Sequence, residues 1–333
     1  MKELFSTVSL LYSMPVKEIV TLKKGKVFLL KGDHEDRVLK ILTLPQREID
    51  FISAAMSWLK EKGFYDFNEI IPNRDGMLTT PQEHKTLLLT KVIKGDMPSY
   101  QKKEDCEKIA SYLAEMHTAA KGFHYSGQDS SRIKWGMLIE SMQTKCDNLL
   151  NFQHKRLKEE WDSFDTDFMA IVDFQRREIE AVIEELSTFY PDLNRSKQKE
   201  GGFCHHDPAH HNFLIDKNDS VAACDFDHAI ADQGCHDLAA LMLKILKAND
   251  WQPENAVRAM ESYDEILHLQ TQEKRLIYAI LKFPYDFYHA AFARYREHDN
   301  SGRIEKKMKR QLKNIALRQK ALSELKQYCE GKT

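Results

Sequence analysis

Apolar positions along this 333-residue chain come first in short runs and later mostly at helical spacing, and the change of character divides the chain in two. Over 17–42 they come in short runs, 18–22, 27–30 and 37–42, separated by Lys24-Gly25 and Gly32-Asp33, pairs that suit tight turns. An antiparallel start of three strands is expected. Pro45 then opens a stretch to about residue 62 in which Ile49, Ile52, Met56 and Leu59 return at three- and four-residue steps, with Gly63 after it, the pattern of one amphipathic helix. Strands around 68–72 and 87–93 complete a β-rich N-terminal lobe, 1–94, with a hinge near 91–95. Beyond Gly95 the helical period takes over, with segments at 104–120, 131–152, 155–188, 237–248, 253–296 and 303–328. Only 213–226 reverts to strands. The expected architecture is α+β, a small mixed lobe followed by a large helical lobe, 95–333.

Composition narrows the function without naming it. Hydrophobic residues are 42% and charged residues 30%, enough for an ordinary core and an ordinary surface. The 49 basic and 51 acidic residues leave a net charge of -2, so no global field draws the chain to nucleic acid or to a membrane surface, and neither is an expected partner. The N-terminus turns polar at once, without the apolar core of a secretory signal, and no run approaches the roughly 18 apolar residues of a membrane span. Six cysteines lie scattered without CxxC spacing, as reduced thiols in a cytosol-like compartment would. A cytoplasmic location is expected.

Chemistry concentrates in 204–227. His205-x-Asp207-x-x-x-x-Asn212, a strand, and then Asp225-Phe226-Asp227 reproduce the spacing of a kinase catalytic loop and its metal-binding aspartate. Phosphoryl transfer needs a carboxylate that accepts a hydrogen bond from the attacking hydroxyl, which suits Asp207. It also needs hard oxygen ligands for Mg²⁺, which the Asn212 amide and the Asp225 carboxylate offer. His205 is expected to be a buried residue that hydrogen-bonds the loop backbone. Phe213-Leu214-Ile215 would form the strand under an adenine, and 221–224 its partner strand.

These motifs resemble the aminoglycoside phosphotransferase and choline kinase superfamily, whose loop reads His-x-Asp-x-x-x-x-Asn and whose metal motif is Asp-(Phe/Trp)-(Asp/Glu). Asp227, in place of a glycine, fits that superfamily rather than an ordinary protein kinase, and His236-Asp237-Leu238-Ala239 matches its Asp-Leu-Ala helix start. The resemblance implies a protein-kinase-like two-lobe fold and a phosphotransferase that uses ATP and Mg²⁺ on a hydroxyl of a small-molecule acceptor. It assigns Asp207, supported by His205, to catalysis and Asn212, Asp225 and Asp227 to the metal. For the nucleotide it implies Lys40 paired with Glu48, the backbone near Lys91, Val92 and Ile93 against the adenine edge, and Leu214 beneath it. Asp237 would cap its helix. One departure concerns the phosphates, since no Gly-x-Gly-x-x-Gly loop is present and the first hairpin offers only Lys23-Lys24-Gly25-Lys26.

The layout over nearly the whole chain looks like the spore-coat-associated, CotS-like branch of this superfamily. That branch implies incorporation in the spore coat, other coat proteins as partners, and an alternative role as a non-catalytic kinase-like scaffold. Two other readings compete for particular residues. His205, His206, His210, His211, His228 and His236 with Cys204, Cys224 and Cys235 could supply zinc ligands, but they lack two compact chelating pairs. The basic segment 303–320, with Ile304, Met308, Leu312 and Ile315 along one side, reads as a helix with a solvated outer face.

Overall fold

In a computed structural model the described residues are 2–82, 84–127, 131–158 and 160–329, with the backbone alone for 2–5. They form two compact units, one of Met1–Ser99, Tyr112–Ile133 and Gly201–Asp232, the other of Tyr100–Ser111, Lys134–Glu200 and Gln233–Thr333.

The first unit is built on an antiparallel sheet. Its strands are β1 (Glu18–Lys23), β2 (Val27–Lys31), β3 (Arg37–Leu42), β4 (Thr80–Gln82) and β5 (Lys85–Lys91), in the spatial order β1-β2-β3-β5-β4. Side chains alternate faces along a strand, and both faces of this sheet are covered. Leu39, Leu87 and Leu89 join Phe28 and Leu30 against Val8 of α1 (Lys2–Tyr12), while Leu42 and Leu88 pack with Ile49 of α2 (Gln46–Glu61). This two-sided burial explains the unbroken Leu87-Leu88-Leu89 run, which has no polar alternation. A second, two-stranded sheet pairs β6 (Phe213–Ile215) with β7 (Val221–Ala223).

The three-strand opening and α2 stand where the sequence pattern puts them. The strand expected around 68–72 does not form. Phe67 bridges Ala223 of β7, whereas Ile70 bridges Thr90 of β5, so the segment serves two sheets and cannot run straight along either. The edge position goes instead to β4, where Pro81, which has no N–H to donate, is tolerated because an edge strand is paired on one side only. The amphipathic α1 was not expected.

The other unit is helical. The last turns of α3 (Lys103–Ala120) belong to the first unit and its opening residues to this one. The rest comprises α4 (Leu138–Arg156), α5 (Ser163–Ser187), α6 (Tyr190–Glu200), α7 (Cys235–Ala248), α8 (Glu254–Ile266), α9 (Thr271–Lys282), α10 (Tyr285–Tyr295) and α11 (Gly302–Cys329). Local chemistry cuts the expected segments. Asp162 and Asp165 form a capping box that starts α5, so the helix begins at 163 and not at 155. The stretch 253–296 is three helices, interrupted where Gln270 and Glu273 cap α9 and where Pro284 precedes α10. The first helix after 131 waits until 138, because Gly136 is in the left-handed region and donates its N–H to Asn194 Oδ1 at 2.8 Å.

Candidate active site

The catalytic-loop residues, the hairpin behind them and the lysine strand all belong to the first unit. Reciprocal backbone hydrogen bonds between Cys204 and Ile230, 2.9 and 3.1 Å, clamp the segment at its base. His205 is fully buried, and its Nε2–H donates to the Cys224 carbonyl at 2.9 Å. The ring packs on Phe226 with centroids 4.7 Å apart. That bond sets the tautomer and ties the loop to the residue before Asp225, which is the scaffold role expected of His205. Asn212, also buried, donates through Nδ2 to the Asp207 carbonyl oxygen and to Asp207 Oδ2, both at 3.0 Å. The Cys224 N–H returns a bond to the Asn212 carbonyl at 2.8 Å. Positions 205, 207, 212 and 224 are therefore laced together before any ligand is considered.

Asp225 follows with φ 68° and ψ 58°, and His206 has φ 64°. Left-handed backbone in non-glycine residues costs energy and is retained where the surroundings over-determine it, commonly at functional sites. The turn aims the Asp225 carboxylate at Lys40 on β3. The Lys40 ammonium is shared between Asp225 Oδ1 and Asp227 Oδ2, the latter at 2.7 Å. Burial alone would raise the Asp225 carboxyl, but the adjacent ammonium outweighs it and holds the group below the usual carboxylate range. Lys40 moves the opposite way. Burial would lower it, and the two aspartates together raise it above the ordinary lysine value.

The expected Lys40–Glu48 ion pair does not form. Two carboxylates compensate the ammonium better than one, and Glu48 has a better partner of its own. Arg132, 7% exposed, donates to Glu48 Oε2 from Nε at 2.9 Å and pairs with the same oxygen through Nη2 at 2.7 Å, while its Nη1 reaches the carbonyls of Asp227 and, at 3.1 Å, Ala229. One guanidinium thus joins α2 to the stretch that carries the metal motif. Sequence reasoning missed Arg132, and no local signal marks it, since an isolated arginine 84 residues from its glutamate belongs to no motif.

The other expected nucleotide residues lie along one path. Lys91 ends β5, donating its N–H to the Glu69 carbonyl at 3.0 Å and its ammonium to Glu69 Oε1 at 2.7 Å. Half-buried Val92 and Ile93 follow, and then Asp96 exchanges two 2.9 Å backbone hydrogen bonds with Ile215 of β6. Gly95 permits this approach, because a Cβ there would meet the Ile215 carbonyl oxygen at 2.6 Å. Leu214 sits next to Ile215, paired with Ala222. Asp237, outside this unit, is fully buried in the first turn of α7.

The sequence profile of the family described as "Spore coat putative kinase YutH" matches residues 6–325. The chain belongs to this family. Spore coat protein S of Bacillus subtilis (strain 168) is 22% identical over 268 residues, covering 79% of this chain and 75% of that protein. Among solved structures, the aminoglycoside phosphotransferase from Alicyclobacillus acidocaldarius aligns with a TM-score of 0.84 at 19% identity, covering 96% of this chain and 94% of the other. An amicoumacin kinase in complex with AMP-PNP, Ca²⁺ and its ligand aligns at 0.66 and 12% identity, covering 97% and 93%. At these identities the likeness establishes the fold, which is protein-kinase-like.

The donor set of this YutH-family chain fits a hard divalent cation. The Asp225 and Asp227 carboxylates already converge on one positive charge, the Lys40 ammonium, and Asn212 spends its amide hydrogens on Asp207, so its oxygen is the atom a metal would take. For zinc the geometry offers nothing comparable. Among the described residues no group of three or more His, Cys, Asp or Glu is placed to hold a metal ion.

Proposed function

We propose that this protein is a Mg-ATP-dependent phosphotransferase acting on a hydroxyl of a small molecule. The observation that carries the reading is the convergence of Asp225 and Asp227 on Lys40 in the unit where Asn212 is hydrogen-bonded to Asp207. Asp207 accepts a hydrogen bond from the acceptor hydroxyl and holds its oxygen in line with the γ-phosphorus. The new O–P bond forms as the bond to the β-phosphate oxygen breaks, and the hydroxyl proton passes to Asp207. Lys40 offers its ammonium to the phosphate oxygens. Asn212, Asp225 and Asp227 would hold Mg²⁺, which when bound neutralises phosphate charge. Lys91, Val92 and Ile93 meet the adenine edge, with Leu214 beneath, and His205 and Arg132 position the loops. In this reading 1–94 is the nucleotide lobe and 95–333 supplies the acceptor pocket and the catalytic loop, whose residues 201–232 pack in the same compact unit as 1–99. The amicoumacin kinase neighbour, with a nucleotide and a divalent cation bound, supports the choice of ligands.

A second reading, a non-catalytic scaffold of the spore coat in contact with other coat proteins, is favoured by the β1–β2 turn, which supplies a single glycine, Gly25, between lysines where phosphates would be covered. Both readings accept synthesis in the cytoplasm and association with the coat. Among the described residues no helix is long and apolar enough to cross a membrane. Thermal-shift titration with ATP separates the readings, because a ligand that binds the folded state raises apparent stability by mass action. A Mg²⁺-dependent rise supports the enzyme, and no rise at millimolar ATP supports the scaffold. ADP release with a panel of amino sugars and amino alcohols then identifies the acceptor class.

A further inference from the structure

The longest helix carries a charge pattern that neither the core nor the proposed reaction uses. α11 buries one side in the helical unit, with Ile304, Met308, Ala321, Leu322 and Leu325 on its inner face. On its outer face Lys306, Arg310, Lys313, Leu317 and Lys320 follow one another at three- and four-residue steps, all exposed, along about 21 Å of helix. Lys307 and Lys309 flank this stripe and are exposed as well. Glu305, half-buried, is the only acidic residue from Arg303 to Ser323.

The arrangement works against the helix itself. Lys306 with Arg310 and Lys309 with Lys313 are like-charged pairs four residues apart, which cost helix stability. Arg303 is paired with Asp299 at 3.3 Å and Lys320 with Glu324 at 3.8 Å, but among the described residues Lys306, Lys307, Lys309, Arg310 and Lys313 have no ion-pair partner. The neighbouring helix is under the same positive field. Burial lowers the His289 imidazole of α10, and Lys145, Lys307 and Lys247 keep it low against the one carboxylate of Asp286. The 49 basic and 51 acidic residues of the chain nearly cancel, but charges more than about 10 Å apart are screened from one another at physiological salt, so a partner meets the local sign.

We propose that the outer face of α11 docks on an anionic lipid bilayer. Unpaired cations in a row call for a polyanion, and two features choose among polyanions. Four of the five unpaired cations are lysines, and protein–protein interfaces are depleted of lysine, which lacks the planar fork that fixes register against a carboxylate. A nucleic acid is disfavoured by Leu317, 44% exposed in the middle of the stripe, and by Tyr328, 49% exposed three turns further along the same face. A phosphate backbone offers these side chains no apolar surface, whereas the boundary between headgroups and acyl chains takes both. A bilayer also asks for no register, because a cluster of four to eight cations on one helix face binds it by their number. The contact is peripheral, since among the described residues no helix is long and apolar enough to cross a membrane.

Co-sedimentation of the full chain with phosphatidylcholine vesicles, with and without about 30% phosphatidylglycerol, in about 0.1 M salt tests this. Binding should require the anionic lipid and weaken at least about tenfold when the salt is raised to about 0.5 M. K306Q/K309Q/K313Q should weaken it about a hundredfold, since each cation near an anionic surface contributes about fivefold. L317Q should weaken it about threefold, through the loss of a partly inserted apolar side chain. K23Q/K24Q/K26Q, which neutralises as many exposed lysines in the β1–β2 turn, should leave it within about twofold. No binding to the anionic vesicles, equal binding to both kinds, or an equal loss in the two triple variants would each overturn the assignment. So would capture of polyglutamate or duplex DNA through the α11 lysines by a chain that leaves the anionic vesicles unbound.

Discussion

Arg132 offers the sharpest test of how the site is held. R132M keeps the bulk of the side chain and removes every donor. The loss includes the hydrogen bond and ion pair to the Glu48 carboxylate and the bonds to the carbonyls of Asp227 and Ala229. Hydrogen bonds to a charged group contribute about 1.5–3 kcal/mol, and stripping one partner from a buried ion pair costs about 3–5 kcal/mol. The Glu48 side chain is 20% exposed, so water recovers part of this, and about 3 kcal/mol is expected. Two compact units make a single global unfolding energy ill-defined. Hydrogen exchange read peptide by peptide avoids that difficulty. Amides of α2 and of 226–231 should exchange about a hundredfold faster, while β1 and β2 change little. In R132M/E48L the buried carboxylate is gone as well, so the double variant should lose at least about 1 kcal/mol less than the sum of the singles. Less than a threefold change in R132M, or strict additivity in the cycle, would refute the bracing role.

Other expectations follow from the same geometry. D207N should leave the Mg-ATP thermal shift intact and lower turnover of the acceptor by about a hundredfold or more, because general-base assistance contributes roughly that much; an equal loss of nucleotide binding would contradict the division of roles. K40M should abolish the shift produced by Mg-ATP. It should also move acid unfolding to higher pH. The depressed Asp225 carboxyl contributes stability that is present above its unfolded pKa and lost as pH falls through its folded one, and without Lys40 burial raises that folded value. An acid limb that stays in place in K40M would deny the coupling. At the alkaline end, the raised Lys40 contributes stability present below the ordinary lysine pKa and lost as pH rises through its folded value, and K40M should lack that limb. G95A forces a methyl to 2.6 Å from the Ile215 carbonyl oxygen and should destabilise the first unit by about 2 kcal/mol, measurable as faster exchange at Asp96 and Ile215.

What the chain declares by itself is local. Short β-type runs set off by turn pairs over 18–42 and three-to-four spacing over 45–62 name β1, β2, β3 and α2, because these are local signals that need no distant partner. Positions 205–227 are equally legible, since a loop and a hairpin within 23 residues bring Asp207, Asn212 and the residues before Asp225 together through short-range connections. The His205 bond to Cys224 and the Asn212 bond to Asp207 are the outcome. The rest depended on which distant groups met. Lys40 took Asp225 and Asp227, Glu48 took Arg132, and the 67–70 segment divided between β5 and β7, all through contacts spanning up to 187 residues. A charge attracts any opposite charge with little regard for sequence, so its partner is chosen by which backbones fold to within a few ångströms, and only the tertiary structure makes that choice.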